Sequence, residues 1–402
     1  MLNPQTIKAY SLKNAIEHNG KAQPGSVIAG LFNHGLKKEN IKDHIKQINK
    51  IIQETNNLTN KQQKTEFQNL ESEIGKRKTR QGLPKLKQAK QGKVVMRFAP
   101  SPSGPMHIGH ALTSSISYLY TQKYKGKFHL RIEDTNPENI YKPSYKMLEQ
   151  EAKWLFNNKA KLIIQSNRIP IYYKYVGKLL KLNKVYICTC SQEDFKNYSK
   201  NKTNCPCRNK KDQKERWLKM LDKSKEGYKQ GEAILRFKTS MKHKNPAFRD
   251  FPLARINLTS HPLQKNKYRV WPLMNLSVTV DDIEQKMTHI IRAKDHRDNS
   301  EKQKLIYKAL KHKPPISYFL GKIHLKDMEL SSSKIRQEIE SGKYTGWDDK
   351  RLFTLASLKK QNYKPIAFHK LAEQIGLNEV DKTIDKKEFF LLLDNFNNDK
   401  NK

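Results

Sequence analysis

The stretch Val94-Val-Met-Arg-Phe98, Ala99-Pro-Ser-Pro-Ser-Gly-Pro105, Met106-His107-Ile-Gly109-His110-Ala111 decides how the rest of the chain is read. Its first five residues form a short apolar strand. The Pro/Ser/Gly run that follows is a loop. Ile108, Leu112, Ile116 and Leu119 then recur at helical spacing, and this helix ends near Gly126. Phe128-His-Leu-Arg-Ile132 is an alternating strand, closed by Glu133-Asp-Thr-Asn-Pro137. Strand, loop, helix and strand at this spacing make a βαβ unit. Such units build parallel sheets that bind nucleotides at the carboxyl ends of their strands. The expected fold class is therefore α/β, with a Rossmann-like parallel sheet.

The loop carries chemistry. A helix N-terminus offers free N–H groups and the positive end of a dipole to a phosphate. Gly109 lets a purine ring approach the backbone. His107 and His110, three apart, lie on one helix face and can donate hydrogen bonds to phosphoryl oxygens. The alternative is a pair of structural histidines at a helix start. The position of the loop, between a strand and a helix, weighs for function.

Outward from this unit the chain changes character several times. Residues 1–92 read as a helical extension, with Ile45, Ile48, Ile51 and Ile52 at helical spacing, followed by a basic, Gly-punctuated linker over 75–92. Residues 93–185 read as the first half of the α/β domain. Residues 186–260 form an insertion with all four cysteines, a Lys-rich helical stretch over 209–229 and a strand over 232–238. Residues 261–325 resume the α/β pattern, 326–355 form a loop region, and 356–402 are short helical pieces without a strand series.

Composition limits the function. The 402 residues carry 79 Lys+Arg against 39 Asp+Glu, a net charge of +40. A field this positive favours a polyanionic partner. Lys outnumbers Arg 64 to 15 and is spread along the whole chain, so compositional bias alone also accounts for part of the charge. No apolar run approaches the roughly 20 residues of a membrane helix, and the N-terminus has no apolar signal region. A cytoplasmic protein without membrane partners is expected. Four cysteines confined to residues 188–207 are too few for a secreted disulfide scaffold.

His107-Ile-Gly-His110 resembles the first signature of class I aminoacyl-tRNA synthetases. Arg97-Phe-Ala-Pro-Ser-Pro-Ser-Gly104 and Arg131-Ile-Glu-Asp-Thr-Asn-Pro137 resemble the glutamyl-tRNA synthetases among them. Tyr268-Arg-Val-Trp-Pro272, Asp281-Asp282 and Thr288-His-Ile-Ile-Arg-Ala-Lys-Asp-His296 fit the same family. Leu330-Ser-Ser-Ser-Lys-Ile-Arg336, Tyr344-Thr-Gly-Trp-Asp-Asp349 and the N-terminal extension are similar to its archaeal type. The resemblance covers essentially residues 1–395. It implies a sheet interrupted by an insertion that binds the tRNA acceptor end.

It also implies an activity: ATP with Mg²⁺ and L-glutamate give a glutamyl-adenylate, and the glutamyl group passes to the 3′ end of tRNA(Glu), and in some members of tRNA(Gln). His107, Gly109 and His110 would contact ATP. Arg97 and Arg292 would hold the side-chain carboxylate of glutamate, because a guanidinium fork matches a carboxylate bidentately. Ser101, Glu133 and Asn275 would complete the amino-acid pocket, with Glu133 accepting the α-ammonium. The family's second signature carries two lysines, and the aligned Glu329-Leu-Ser-Ser-Ser333 has neither. Ser331, Ser333 and above all Lys334, which follows at once, are expected to serve ATP in their place, with Lys326 a weaker candidate. Met274 stands where bacterial members have a pocket tyrosine.

Cys188-x-Cys190 and Cys205-x-Cys207 suggest a structural Zn²⁺ site; four unligated thiols in a reducing compartment are the alternative. Archaeal relatives continue into anticodon-reading β-barrels, so a separate anticodon-binding polypeptide is an expected partner. Two rival readings are glutamyl transfer to a modified tRNA base and a non-catalytic tRNA-binding paralogue.

Overall fold

The structure is a computed structural model of the chain; it describes residues 3–74 and 82–398. It divides into two compact units, Met1–Gln81 and Gly82–Lys402. The first is helical: α1 (Pro4–Glu17), α2 (Pro24–Leu31), α3 (Ile41–Asn56) and α4 (Asn60–Leu70). Local signals explain the starts. Asn3 caps α1 by accepting from the Gln5 N–H, and Thr59 with Gln62 forms a capping box at α4. Ile48, Ile51 and Ile52 of α3 pack with Ile7, Tyr10 and Leu31, while Ile45 is only half-buried. Gly30 is required at its position, because a Cβ there would fall 2.3 Å from the Tyr10 ring.

The second unit opens not with a linker but with an anchored segment. Leu83 and Leu86 are buried in the core of this unit. The Lys123 ammonium donates to Leu83 O, and the Tyr124 and Tyr318 hydroxyls accept from the N–H groups of Leu86 and Lys87. The expected linker over 75–92 thus gives way at Gly82, and its residues 75–81 lie outside the described ones.

Next come β1 (Val95–Phe98), α5 (Ile108–Lys123), β2 (Lys127–Ile132), α6 (Ser144–Leu155), β3 (Ala160–Ile164) and α7 (Ile169–Lys181). After these come β4 (Val185–Cys188), α8 (Gln192–Lys200), α9 (Gln213–Leu221), β5 (Ile234–Phe237), β6 (Pro252–Ile256) and β7 (Val270–Pro272). Then follow α10 (Met274–Glu284), β8 (His289–Ala293), α11 (Arg297–Ala309), β9 (Ile316–Leu320), β10 (Ile323–Leu325) and α12 (Ser332–Glu340). The chain closes with α13 (Leu355–Lys360), α14 (Pro365–Ile375), β11 (Lys382–Ile384) and α15 (Lys386–Asn398).

The strands β1, β2 and β3 pair in parallel, as do β8 and β9. The two ladders meet where Thr288 N–H donates to Val95 O and Val95 N–H donates to the Thr288 hydroxyl, so β8 lies beside β1. The order β3-β2-β1-β8-β9 is the doubly wound arrangement expected from the βαβ unit. Phe128, Leu130 and Ile132 of β2 pack into one core with Ile108, Leu112 and Ile116 of α5. Alternation along a strand then puts Lys127, His129 and Arg131 on the opposite face. Gly126 permits the tight return into β2, since a Cβ there would meet Val94 O at 2.2 Å.

Between the two ladders stands an antiparallel sheet, β4-β5-β6-β7. It runs from Val185 to Pro272, so the insertion extends beyond the expected 186–260 and takes in Tyr268–Pro272. The reason is the β6–β7 pairing, a nonlocal bond that hydropathy does not reveal. Helix in the Lys-rich stretch is confined to α9. Beyond Leu352 one short strand, β11, pairs in parallel with β10 among the expected helices. Among the described residues no helix is long and apolar enough to cross a membrane.

Candidate active site

The turn from β1 into α5 positions the two histidines. His107 is the N-cap of α5, and its Nδ1 accepts from the Gly109 N–H at 3.1 Å. The ring lies over Gly109, where a Cβ would approach it to 3.1 Å. His107 and His110 stack with centroids 3.8 Å apart, and Phe98 flanks His110. Burial pushes His107 down to about 4; burial, followed by His107, holds His110 well below its ordinary value. Both rings are therefore uncharged at neutral pH, each with a hydrogen-bonding N–H. His110 Nδ1 is buried without a partner.

The loop is fastened from two sides. The Met106 N–H donates to the Glu151 carboxylate of α6 at 2.7 Å, and burial pushes that carboxyl up to about 8. On the other side, Ile108 N–H donates to Phe353 O and Leu355 N–H to Met106 O. The residues after α12 thus lie directly on the histidine turn.

Across the strand ends sits a charged group. Arg97 on β1 is buried and donates through Nε to Asp282 Oδ1 at 2.8 Å. Burial opposes its charge, but Asp282 and then Glu133 hold its guanidinium above the ordinary value. Glu133 follows β2; its buried Oε1 makes no hydrogen bond but lies 3.8 Å from the Arg131 guanidinium. Burial raises its carboxyl, opposed by Arg97, Arg131 and Arg292. Arg292 on β8 donates to Gln303 Oε1 at 3.1 Å and to the Ser300 hydroxyl at 3.3 Å. Burial, then the charge of Arg97, lowers it to about 10. Asn275 joins this group, because Gln303 donates to its Oδ1 at 3.3 Å. Met274 lies against Arg292, its sulfur 3.9 Å from the guanidinium. Ser101 is exposed on the loop; Glu133 N–H donates to the neighbouring Pro100 O.

The second loop comes to the first. A Cβ on Gly104 would fall 2.7 Å from Ser332 Cβ, so the two loops touch. Ser331 caps α12, accepting from the Lys334 N–H. Ser331, Ser333 and Lys334 are all exposed. The Lys334 ammonium contacts Glu329 at 2.6 Å and not the histidine pair.

Residues 93–397 match the family described as tRNA synthetases class I (E and Q), catalytic domain. The chain belongs to this family. Among curated relatives, a glutamate–tRNA ligase of Methanosphaera stadtmanae is 40% identical over 96% of this chain and 69% of its own length. One from Pyrococcus abyssi is 39% identical over 93% of this chain and 67% of its own. The crystal structure of a glutamate tRNA ligase from Elizabethkingia meningosepticum, in complex with its amino acid, superposes with a TM-score of 0.55 at 19% identity, covering 75% of this chain and 68% of that one. At that identity the likeness concerns the class I fold.

The synthetase site also holds residues whose role the residue types alone did not disclose. Asp282 accepts from both Arg97 and Arg131. Asp281 accepts from Gln165, Arg168 and the Tyr172 hydroxyl. The signal available was Asp281-Asp282 itself, two adjacent acids in a largely buried helix. Buried carboxylates are normally paired, so such a pair asks for cations on the facing strands.

The four cysteines also come together: their sulfurs all lie within 4.8 Å of one another. Cys188 ends β4 and Cys190 follows it, and Cys205 and Cys207 lie on the loop before α9. The Cys188 thiol is pushed down, chiefly by hydrogen bonding with Cys205, and no disulfide forms.

Proposed function

We propose that this chain joins L-glutamate to the 3′ end of tRNA in two steps at the β1–β2–β8 strand ends. The observation that carries the reading is one edge presenting two uncharged histidines at a helix start beside the Arg97–Glu133–Arg292 group. In the first step a glutamate α-carboxylate oxygen bonds to the α-phosphorus of ATP, the bond to the bridging oxygen breaks, and diphosphate leaves. In the second step the terminal ribose hydroxyl of tRNA attacks the acyl carbon, its proton is released, and AMP leaves.

Each group has a role in this reading. Neutral His107 and His110 donate N–H to phosphoryl oxygens, and the α5 N-terminus adds its dipole. Arg97 and Arg292 take the substrate's side-chain carboxylate; glutamine would leave their donors unpaired. Glu133, whose buried Oε1 makes no hydrogen bond, accepts the α-ammonium. Asn275 sets Arg292 through Gln303, and Ser101 contacts the amino acid from the loop. Ser331, Ser333 and Lys334 face the triphosphate, where a cation offsets the charge gathering on departing diphosphate. Magnesium, held mainly by the triphosphate, supplies further neutralisation there. The cysteine sulfurs have the spacing and softness for a structural Zn²⁺, which would tie β4 to the loop before α9.

The test is aminoacylation by the purified chain with ATP, Mg²⁺, labelled glutamate and tRNA(Glu), with glutamine and tRNA(Gln) in parallel. Glutamate on the terminal ribose is expected. Label on a base would assign the chain to base modification, and absence of ATP–diphosphate exchange would assign it to binding alone. For the metal, a chelator should release one zinc per chain and lower the melting temperature. Unchanged melting with no zinc released would remove the metal from the reading.

A further inference from the structure

Parallel sheets in α/β folds bury both faces, so their strands are apolar on both sides. One face of this sheet departs from that. Arg97, His129 and Lys161 stand in register across β1, β2 and β3. Lys127 and Arg131 flank His129 on the same face of β2. Like charges placed opposite one another destabilise a sheet unless something neutralises them.

Toward the carboxyl ends the arginines of this face meet carboxylates. Asp282 takes Arg97 and Arg131, and Asp281 takes Arg168. Toward the amino ends Lys127 and Lys161 make no ion pair among the described residues. There the face opens into a cleft of about 1060 Å³ lined by Lys125, Lys127, His129, Lys161 and Lys286 among others. Glu284 also lines it, engaged by the Tyr175 hydroxyl, and Lys159 is engaged by Gln122. Lys125, Lys127, Lys161 and Lys286 have no ion pair among the described residues. The wall is built as well as charged. His129 is only 8% exposed, and its ring makes no hydrogen bond among the described residues; Nδ1 is fully buried. Gln285 Nε2 beside it is likewise buried and unpartnered. Burial, followed by Arg131, Lys161 and Lys127, holds His129 at about 4, so the ring waits uncharged.

We propose that this cleft is a second phosphoryl-anion site, at the opposite strand ends from the reaction site. Its ligand is a phosphate-bearing anion, either free and of diphosphate size or part of an RNA backbone. Four unpaired ammonium groups supply long-range attraction, and the partnerless imidazole and amide supply the short-range contacts that a solvated basic surface lacks. A bound anion also removes the repulsion within the row, which favours the protonated ring.

The experiment is imidazole NMR on the full chain, with His129→Gln to assign the resonance, and with inorganic diphosphate and bulk tRNA as separate probes. A bound anion should raise the His129 titration by about one unit. The Lys127→Ala/Lys161→Ala variant should weaken that response about tenfold. Both lysines are exposed, so the fold and ATP–diphosphate exchange should be unchanged. A response to diphosphate identifies a free anion. A response to tRNA alone, with the salt dependence of binding reduced by about two in the variant, identifies the RNA backbone. No response to either probe, or the same response in the variant, overturns the proposal.

Discussion

The arginines at the strand ends and the lysine after β10 are both assigned to anionic substrate groups, yet they are held in opposite ways. Arg97 is buried and fixed by Asp282, and Arg292 is fixed by Gln303 and Ser300. Their geometry is set before glutamate arrives, which suits recognition of one carboxylate. Lys334 is 60% exposed and rests on Glu329. A solvated pair of this kind is weak and yields readily to a triphosphate. The proposed roles thus put selectivity in the rigid region and charge neutralisation in the adjustable one.

Breaking the rigid side should have the largest effect. Arg292→Ala is expected to lower kcat/KM for glutamate in ATP–diphosphate exchange by about a thousandfold, the scale of losing one partner of a buried ion pair. An unchanged KM for glutamate would place the carboxylate elsewhere. Asp282→Asn leaves Arg97 buried without its ion-pair partner and Arg131 with only the 3.8 Å contacts to Asp281 and Glu133. It should cost about 3 kcal/mol in urea unfolding and raise KM for glutamate with a smaller change in kcat.

The histidines sharpen the contrast through pH. The unfolded chain protonates them near 6.5, whereas folded His107 protonates only near 4, with His110 also well below its ordinary value. Their contribution to stability is therefore present above pH 6.5 and is lost as pH falls toward 4. Urea midpoints measured across that window should fall, and less so in His107→Asn. On the adjustable side, Lys334→Met should lower kcat of adenylate formation about a hundredfold with little change in KM for glutamate. Glu329→Gln should have the smallest effect: a fall of less than about threefold in KM for ATP, as an exposed competitor is removed. A fall of tenfold or more would show that the Glu329–Lys334 contact is a firm latch.

Much of this was legible in local patterns. The apolar stripe Ile108–Leu112–Ile116 and the alternation of β2 give the βαβ unit, and the histidine turn follows from its place between them. Arg97, Glu133 and Arg292 could be nominated because each lies at the end of a strand. What escaped was nonlocal. Asp281 and Asp282 look like an ordinary helix end until β1 and β2 bring arginines to them. The β6–β7 pairing extends the insertion to Pro272, and Leu83, Leu86 and Lys87 look like linker residues until Lys123, Tyr124 and Tyr318, more than thirty residues away, are seen to bind them.

The chain by itself thus determined the fold class, the signature turn and the types of residue at the strand ends. These depend on spacing within one strand or helix, where hydrophobic period and loop chemistry act over a few residues. The tertiary structure decided which cations are already neutralised. Arg97 and Arg131 have Asp282, Lys334 has Glu329, and Lys127 and Lys161 have no carboxylate. Charge pairing depends on distance through space, and in this molecule the decisive partner of Arg97 lies 185 positions away.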